Sequence, residues 1–307
     1  MEGLEGPLIT ILTASTPLLI AAEGELVSER SGVLNLGVEG MMAVGAACGF
    51  AAAKITGLAL VGVIAAIGAG AAMAALFALV TIVFVANQVA SGLALTLFGL
   101  GLSALIGNAY VGVPGVGVPA VHVAGLSDLP LVGRVVFGED PVMYLAVALA
   151  IAVAWFLFRT RAGLVLRAVG DNHASAHALG YSVARVRFLG LLFGGGCAGL
   201  AGGYLSLVYT PQWTQNMTAG RGWIGLALVV FGAWLPWRVA AGALLFGAIS
   251  YGVLYLQGLG GIGIPSQLLS TLPYLTTIVV LVVISRDKTL LRVNTPACLG
   301  QAFVPDR

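Results

Sequence analysis

Glu29, Arg30, Asn35 and Glu39 stand between two apolar runs, residues 8–22 and 41–53, in the stretch Ser28-Glu29-Arg30-Ser31-Gly32-Val33-Leu34-Asn35-Leu36-Gly37-Val38-Glu39-Gly40-Met41-Met42. A charge near the middle of a bilayer costs on the order of 3 kcal/mol or more, so such groups face a cavity, a partner or the interface. Gly32, Gly37 and Gly40 permit turns and close backbone approach, and Ser31, Asn35 and Glu39 share one face wherever the chain is helical. Two readings follow. The stretch is broken backbone lining a pathway, with Asn35 and Glu39 as its hydrogen-bonding groups, or Glu29 and Arg30 are an interfacial pair and Asn35 or Glu39 caps a helix. Asn87, Gln88 and Ser91 are further pathway candidates, because a polar neutral solute needs a few hydrogen-bonding groups in apolar walls. Asn87 and Ser91 lie on one helical face; the alternative for them is helix-to-helix hydrogen bonding, worth about 0.6 kcal/mol on average in membranes.

Other chemistries find little support. His173 and His177, at i and i+4, have the spacing of a zinc pair on a helix, but no third ligand lies nearby and an exposed helix face explains them better. His122 stands alone. Cys48, Cys197 and Cys298 are widely spaced, which suggests neither a disulfide framework nor a metal site. No Gly-x-x-x-x-Gly-Lys-Ser/Thr phosphate loop surrounds Lys54 or Lys288. There is no paired-carboxylate or nucleophile constellation, so no catalytic residue and no resident cofactor or metal is expected.

The elements that must position these residues are membrane helices. The 307 residues are 59% hydrophobic and 8% charged, with a mean hydropathy of +1.04, against roughly 25% charged for a soluble domain. The 44 glycines suit close helix packing, and Gly195-x-x-x-Gly199-x-x-x-Gly203 is the clearest such face. Met1 to Glu5 lacks the basic segment of a signal peptide, so the first apolar run is expected to stay as a helix.

Arg159, Arg161, Arg167, Arg185, Arg187, Arg238, Arg286, Lys288, Arg292 and Arg307 are ten of the fourteen basic residues. The positive-inside rule makes their segments cytoplasmic, and since they flank apolar spans they form no nucleic-acid patch. Residues 108–141, with four prolines, then form an extracytoplasmic loop, 159–187 a cytoplasmic loop and 286–307 a cytoplasmic tail of one transmembrane domain, 1–307. Residues 57–86 are too long for one straight crossing and too short for two; one tilted helix or two broken ones both fit. Within 159–187, Asp171 or Asn172 can cap a helix of about two turns that Gly180 can close. Beyond the stretch at 28–42, the apolar spans are expected to carry no Asp or Glu, which argues against ion coupling.

The Glu29–Met42 block resembles the signature of permease subunits of ATP-binding-cassette (ABC) importers, in the branch serving nucleosides and simple sugars with basic-membrane-protein-type lipoproteins; ribose and branched-chain amino acid permeases are more distant relatives. Asn87-Gln88-Val89-Ala90-Ser91-Gly92 and the block from Thr218 to Gly232 are similar to the same family. Gly170, Asn172, Ala176 and Gly180 match its coupling-loop pattern. The resemblance implies an all-α polytopic fold with about ten transmembrane helices (8–10 possible), both ends inside, and a cytoplasmic coupling helix. It also implies half of a pathway for nucleosides, with simple sugars second, in a multi-pass protein of the bacterial plasma (inner) membrane. Gly170, Asp171, Asn172, His173, Ala176, His177 and Gly180 would then contact an ATP-binding subunit that carries ATP and magnesium. The other implied partners are a second, related permease in a heterodimer and a substrate-binding lipoprotein. An ion-gradient-coupled transporter of a small polar solute is the alternative.

Overall fold

The computed structural model describes residues 5–121, 133–258, 265–269, 271–284 and 293–304. His122, the tail arginines and lysine at 286–292 and Arg307 lie outside the described residues. Helix α1 (Glu5–Arg30) is followed by α2 (Val38–Thr56), α3 (Ala59–Ala78) and α4 (Gln88–Gly107), then the short α5 (Gly133–Phe137), α6 (Pro141–Arg159), α7 (Arg161–Asp171), α8 (His173–Ala178), α9 (Val183–Tyr204), α10 (Arg221–Phe231), α11 (Pro236–Gly258), α12 (Ser266–Leu269) and α13 (Leu272–Ile284). Single π-helical turns, Leu79–Val83 and Leu205–Tyr209, prolong α3 and α9. Seven of the described helices are long and apolar enough to cross a membrane, and two shorter apolar helices, α10 and the stretch Gln267–Val280, accompany them. Together these nine described apolar helices fall within the expected 8–10, with seven of them long enough to cross.

Starts and stops follow local chemistry. Asp140 caps α6 by accepting from the Val142 and Met143 amides, both at 2.9 Å, just ahead of Pro141. Asn87 caps α4 through the Ala90 amide at 3.0 Å, and Gly57, at φ +72°, closes α2. The apolar run at 57–86 forms one long element, Ala59–Val83: with no polar break inside it, every peptide group is satisfied within one helix.

The bundle is built around α9, which packs on α1, α2 and α3, while α1 also carries α6, α10 and α11. The glycine face of α9 does what its spacing suggests. A methyl group at Gly199 would meet the Ala66 carbonyl, and one at Gly195 would lie 2.6 Å from the Gly70 carbonyl. Without a hydrophobic drive between helices in lipid, this backbone proximity supplies dispersion contact.

Two ends of the bundle can be told apart. At one, Gly32 packs on Gly170 of α7. At the other, Lys54 donates to the Pro114 carbonyl at 3.0 Å and the Gly115 amide donates to that of Pro211 at 3.0 Å. Five long helices (α1, α2, α3, α4 and α6) precede α7, and the 26-residue α1 ends at the α7–α8 end. The Glu5 end of α1 therefore lies opposite α7–α8, which corrects the expectation that both ends share a side.

Candidate functional site

The helical part of the signature is longer than its charges suggested. Helix α1 does not stop at Ala22 but runs on through Glu23, Glu25, Glu29 and Arg30, all buried. The expectation that spans outside the signature lack acidic residues is thus corrected by Glu23 and Glu25. The break itself is confined to residues 31–37. Gly32, at φ +88°, turns the chain where a side chain would strike Gly170 and Arg187. Asn35 then lies beside Glu25, whose carboxylate accepts from the Asn35 amide at 3.2 Å.

Side chains meet backbone groups of this break, as buried irregular backbone requires. The Asn35 side-chain oxygen accepts from the Gly37 amide at 3.0 Å, the Gln88 side-chain oxygen accepts from the Leu34 amide at 2.8 Å, and the Thr96 hydroxyl donates to the Leu36 carbonyl at 2.9 Å. Asn35 and Gln88 are therefore brought together as backbone partners of the break. Asn87, the exposed cap, and Ser91, beside an apolar groove with Phe77 and Phe98, stand apart from them.

The signature also grips both ends of α10. Glu39, 4% exposed, accepts through one oxygen from the Thr218 hydroxyl at 2.6 Å and the Gly220 amide at 2.8 Å, and through the other from the Gly222 amide at 2.7 Å. A carboxylate on the free amides of a helix N-terminus is held by charge-assisted bonds and by the helix dipole. Glu39 thus caps a helix, and that helix is α10 rather than its own. At the far end of α10, Glu29 accepts from the Trp234 indole N–H at 2.5 Å, and Arg30 donates twice to the Trp234 carbonyl, at 3.2 and 2.8 Å. Ala233 and Trp234 both have left-handed backbone, φ +49° and +55°, a conformation that costs a non-glycine residue roughly 1–3 kcal/mol and needs such a clamp. The oxygens of Glu23 and one of Glu29 have no hydrogen-bond partner among the described residues.

The loop bearing α7 and α8 is of another kind. Asn172 caps α8 by accepting from the Ser175 amide at 2.9 Å, and Gly180, at φ +89°, follows its end, as the spacing predicted. Ala176 points inward: it is 2% exposed and packs among Val169, Val183, Val186 and Phe303. It is therefore not on a face free for docking, a correction that follows from α8 being laid on α7 and α9. Asp171, Asn172, His177 and Gly180 do lie on the exposed face, and its large apolar groups are Leu179, 78% exposed, and Tyr181, 45% exposed. His173 and His177 do share a face, but the Phe303 ring packs edge-on against both at 5.1 and 5.3 Å. Among the described residues no group of three His, Cys, Asp or Glu is placed to hold a metal ion.

Sequence reasoning missed the role of the C-terminal segment. The Cys298 amide donates to the Gly170 carbonyl at 2.8 Å and the Gly300 amide to that of Gly32 at 3.2 Å. Arg187 donates to the carbonyls of Ser31 and Gln301, at 3.3 and 2.8 Å, and its guanidinium lies 3.2 Å from the His173 Nδ1. Residues 298–303 therefore strap the α7–α8 loop to the signature turn. Burial, and then the neighbouring Arg187 charge, push the His173 pKa below its ordinary value.

Known proteins are similar in sequence to nearly the whole chain. A protein of Haloferax volcanii, provisionally assigned as a glucose ABC transporter permease, is 42% identical over 325 residues, covering 99% of this chain and 98% of its own. A guanosine ABC transporter permease of Bacillus subtilis is 33% identical over 293 residues, 88% of this chain and 89% of its own. A nucleoside ABC transporter permease of Lactococcus lactis is 32% identical over 288 residues, with 88% and 89% covered. No solved structure is significantly similar. The model of the family described as branched-chain amino acid transport system / permease component matches residues 8–284, and the chain belongs to that family.

Proposed function

We propose that the chain is one of two permease subunits of an ABC importer for nucleosides, with simple sugars as the second substrate class. The observation that carries this is the end-to-end similarity to permeases of guanosine, nucleoside and glucose transporters. In this reading α7–α8 faces the cytoplasm and receives an ATP-binding subunit at Leu179 and Tyr181, while ATP and magnesium are held by that subunit. The extracytoplasmic end carries the 108–121 segment and receives solute from a binding lipoprotein. The second subunit is a related, different permease.

The structure supports a mechanical account of this chain's part. A push on α8 is passed through Gly170 and the 298–303 strap to the signature turn, and the signature holds α10 at both ends. Rigid elements linked in this way convert a movement at the loop into a movement of α10. The test is solute uptake into proteoliposomes holding this chain with its ATP-binding, second permease and binding-protein subunits. Uptake of guanosine or glucose is expected only with ATP and the binding protein. Accumulation driven by a proton or sodium gradient without the ATP-binding subunit overturns the proposal.

A further inference from the structure

A cavity of about 410 Å³ lies between α1, α10, α11 and α13, at the end of α10 that Glu39 holds. Its volume is within the roughly 300–1,000 Å³ usual for small-molecule sites. Leu18, Phe246 and Val253 form apolar wall, and Tyr209, Arg221, Ser250, Gln257 and Tyr274 bring polar groups. By contrast, the 350 Å³ groove between α6 and α9 is lined almost wholly by apolar groups, such as Leu149, Phe156 and Phe193.

The polar side of the cavity has a definite chemistry. Arg221, the first residue of α10, lies over the Tyr209 ring with its guanidinium carbon 5.3 Å from the centroid. It spends one N–H on the Met217 carbonyl at 2.9 Å, and the remaining donors of its planar fork have no partner among the described residues. Tyr274 donates to the Ala219 carbonyl at 2.8 Å and Ser250 to that of Phe246 at 2.9 Å, so both hydroxyl oxygens keep lone pairs to accept with. Among the described residues no acidic side chain lines the space. A positive, fork-shaped donor without a counter-charge selects a solute with two adjacent coplanar acceptors and disfavours a cation.

We infer that this cavity holds a 6-oxopurine nucleoside, with Arg221 bonded to the O6/N7 edge of the base and the base plane against tyrosine. The inference rests on the importer reading and goes beyond it in naming the base edge that is read. Arginine pairs bidentately with guanine O6 and N7, whereas adenine offers a donor in place of O6. A hexose has no coplanar acceptor pair, and its C–H face lacks the π-system through which a base stacks on an aromatic ring.

The test uses the assembled transporter in proteoliposomes, with Ser250→Cys in a chain whose Cys48, Cys197 and Cys298 are alanine. The readouts are the rate of labelling by a water-soluble maleimide and, separately, ATP-dependent uptake. Guanosine and inosine are expected to slow labelling several-fold, and adenosine, glucose and inorganic phosphate to leave it unchanged. Arg221→Lys keeps the charge but loses the fork, and should raise the guanosine concentration for half-protection about 10-fold or more. No labelling at all, equal protection by adenosine or glucose, protection by phosphate alone, or an unchanged Arg221→Lys overturns the inference. Lost protection with ATP-dependent guanosine uptake intact removes the cavity assignment alone; intact protection with uptake that ignores ATP removes the importer reading alone.

Discussion

The signature and the α7–α8 loop are both polar interruptions of an apolar chain, yet the protein treats them oppositely. The signature is sealed: Glu29, Asn35 and Glu39 are buried, and their hydrogen bonds end on backbone or on the side chains of Glu25, Met41, Thr218 and Trp234. The loop is presented: α8 has a single buried residue, Ala176, and carries Leu179 and Tyr181 outward. The difference teaches that polar residues in a membrane chain serve two ends, positioning other elements from within and meeting partners from without. Burial rather than polarity tells the two apart.

The sharpest way to break this comparison is at Glu39. Glu39→Gln leaves only one oxygen to accept and turns an amide group toward one of the α10 N–H donors. Losing charge-assisted bonds to buried donors costs about 2–4 kcal/mol. The expected result is a clear fall in Tm of the purified complex together with loss of uptake. A mutant with the parent Tm that no longer transports would instead make Glu39 a solute-contacting residue, as the first reading of the signature had it.

The next effect in size belongs to the loop. Ala176→Glu puts a carboxylate among Val169, Val183 and Phe303, and an unpaired charge there is resolved by α8 lifting off rather than by the bundle unfolding. Amide exchange of residues 171–181 should rise by an order of magnitude or more while the spans stay protected. Leu179→Glu, on the exposed face, should change stability by within about 0.5 kcal/mol. It should nonetheless lower co-purification of the ATP-binding subunit and solute-stimulated ATP hydrolysis. Full retention of both would move the partner contact away from this corner.

Much of this was legible in the sequence, and what was not has physical reasons. The Asn172 cap, the Gly180 stop and the glycine face at Gly195, Gly199 and Gly203 are local, because each depends on residues within one or two turns. The extension of α1 through Glu23, Glu25, Glu29 and Arg30 was not, since a run of charges in an apolar context reads as the end of a span. Glu29 and Glu39 find their partners, Trp234 and Gly222, more than 150 residues away, and even the bond of Glu25 to Asn35 forms only once the break has turned the chain back. The inward turn of Ala176 was hidden for the same reason: alanine is compatible with either face, and the choice is made by Phe303 from the far end of the chain.

The smallest effect separates the two regions by pH. His173, on α8, accepts at its Nδ1 from Arg187 when neutral, and its pKa lies below the ordinary 6.5 through burial and the Arg187 charge. A base with a depressed folded pKa contributes stability that is present above the unfolded value and lost as pH falls through the folded one. Acidification from pH 7 to below the ordinary histidine range should therefore protonate His173, set two positive groups against each other and loosen α8 and the Phe303 strap. The contribution is modest because the ring is partly exposed and the charges are screened. Amide exchange measured against pH should show residues 171–181 opening on the acid side while residues 33–40 do not. His173→Phe, which keeps a ring against Phe303 but cannot take a proton, should abolish the dependence. If the dependence survives that substitution, some other group loosens the loop, and the strap is not held through His173.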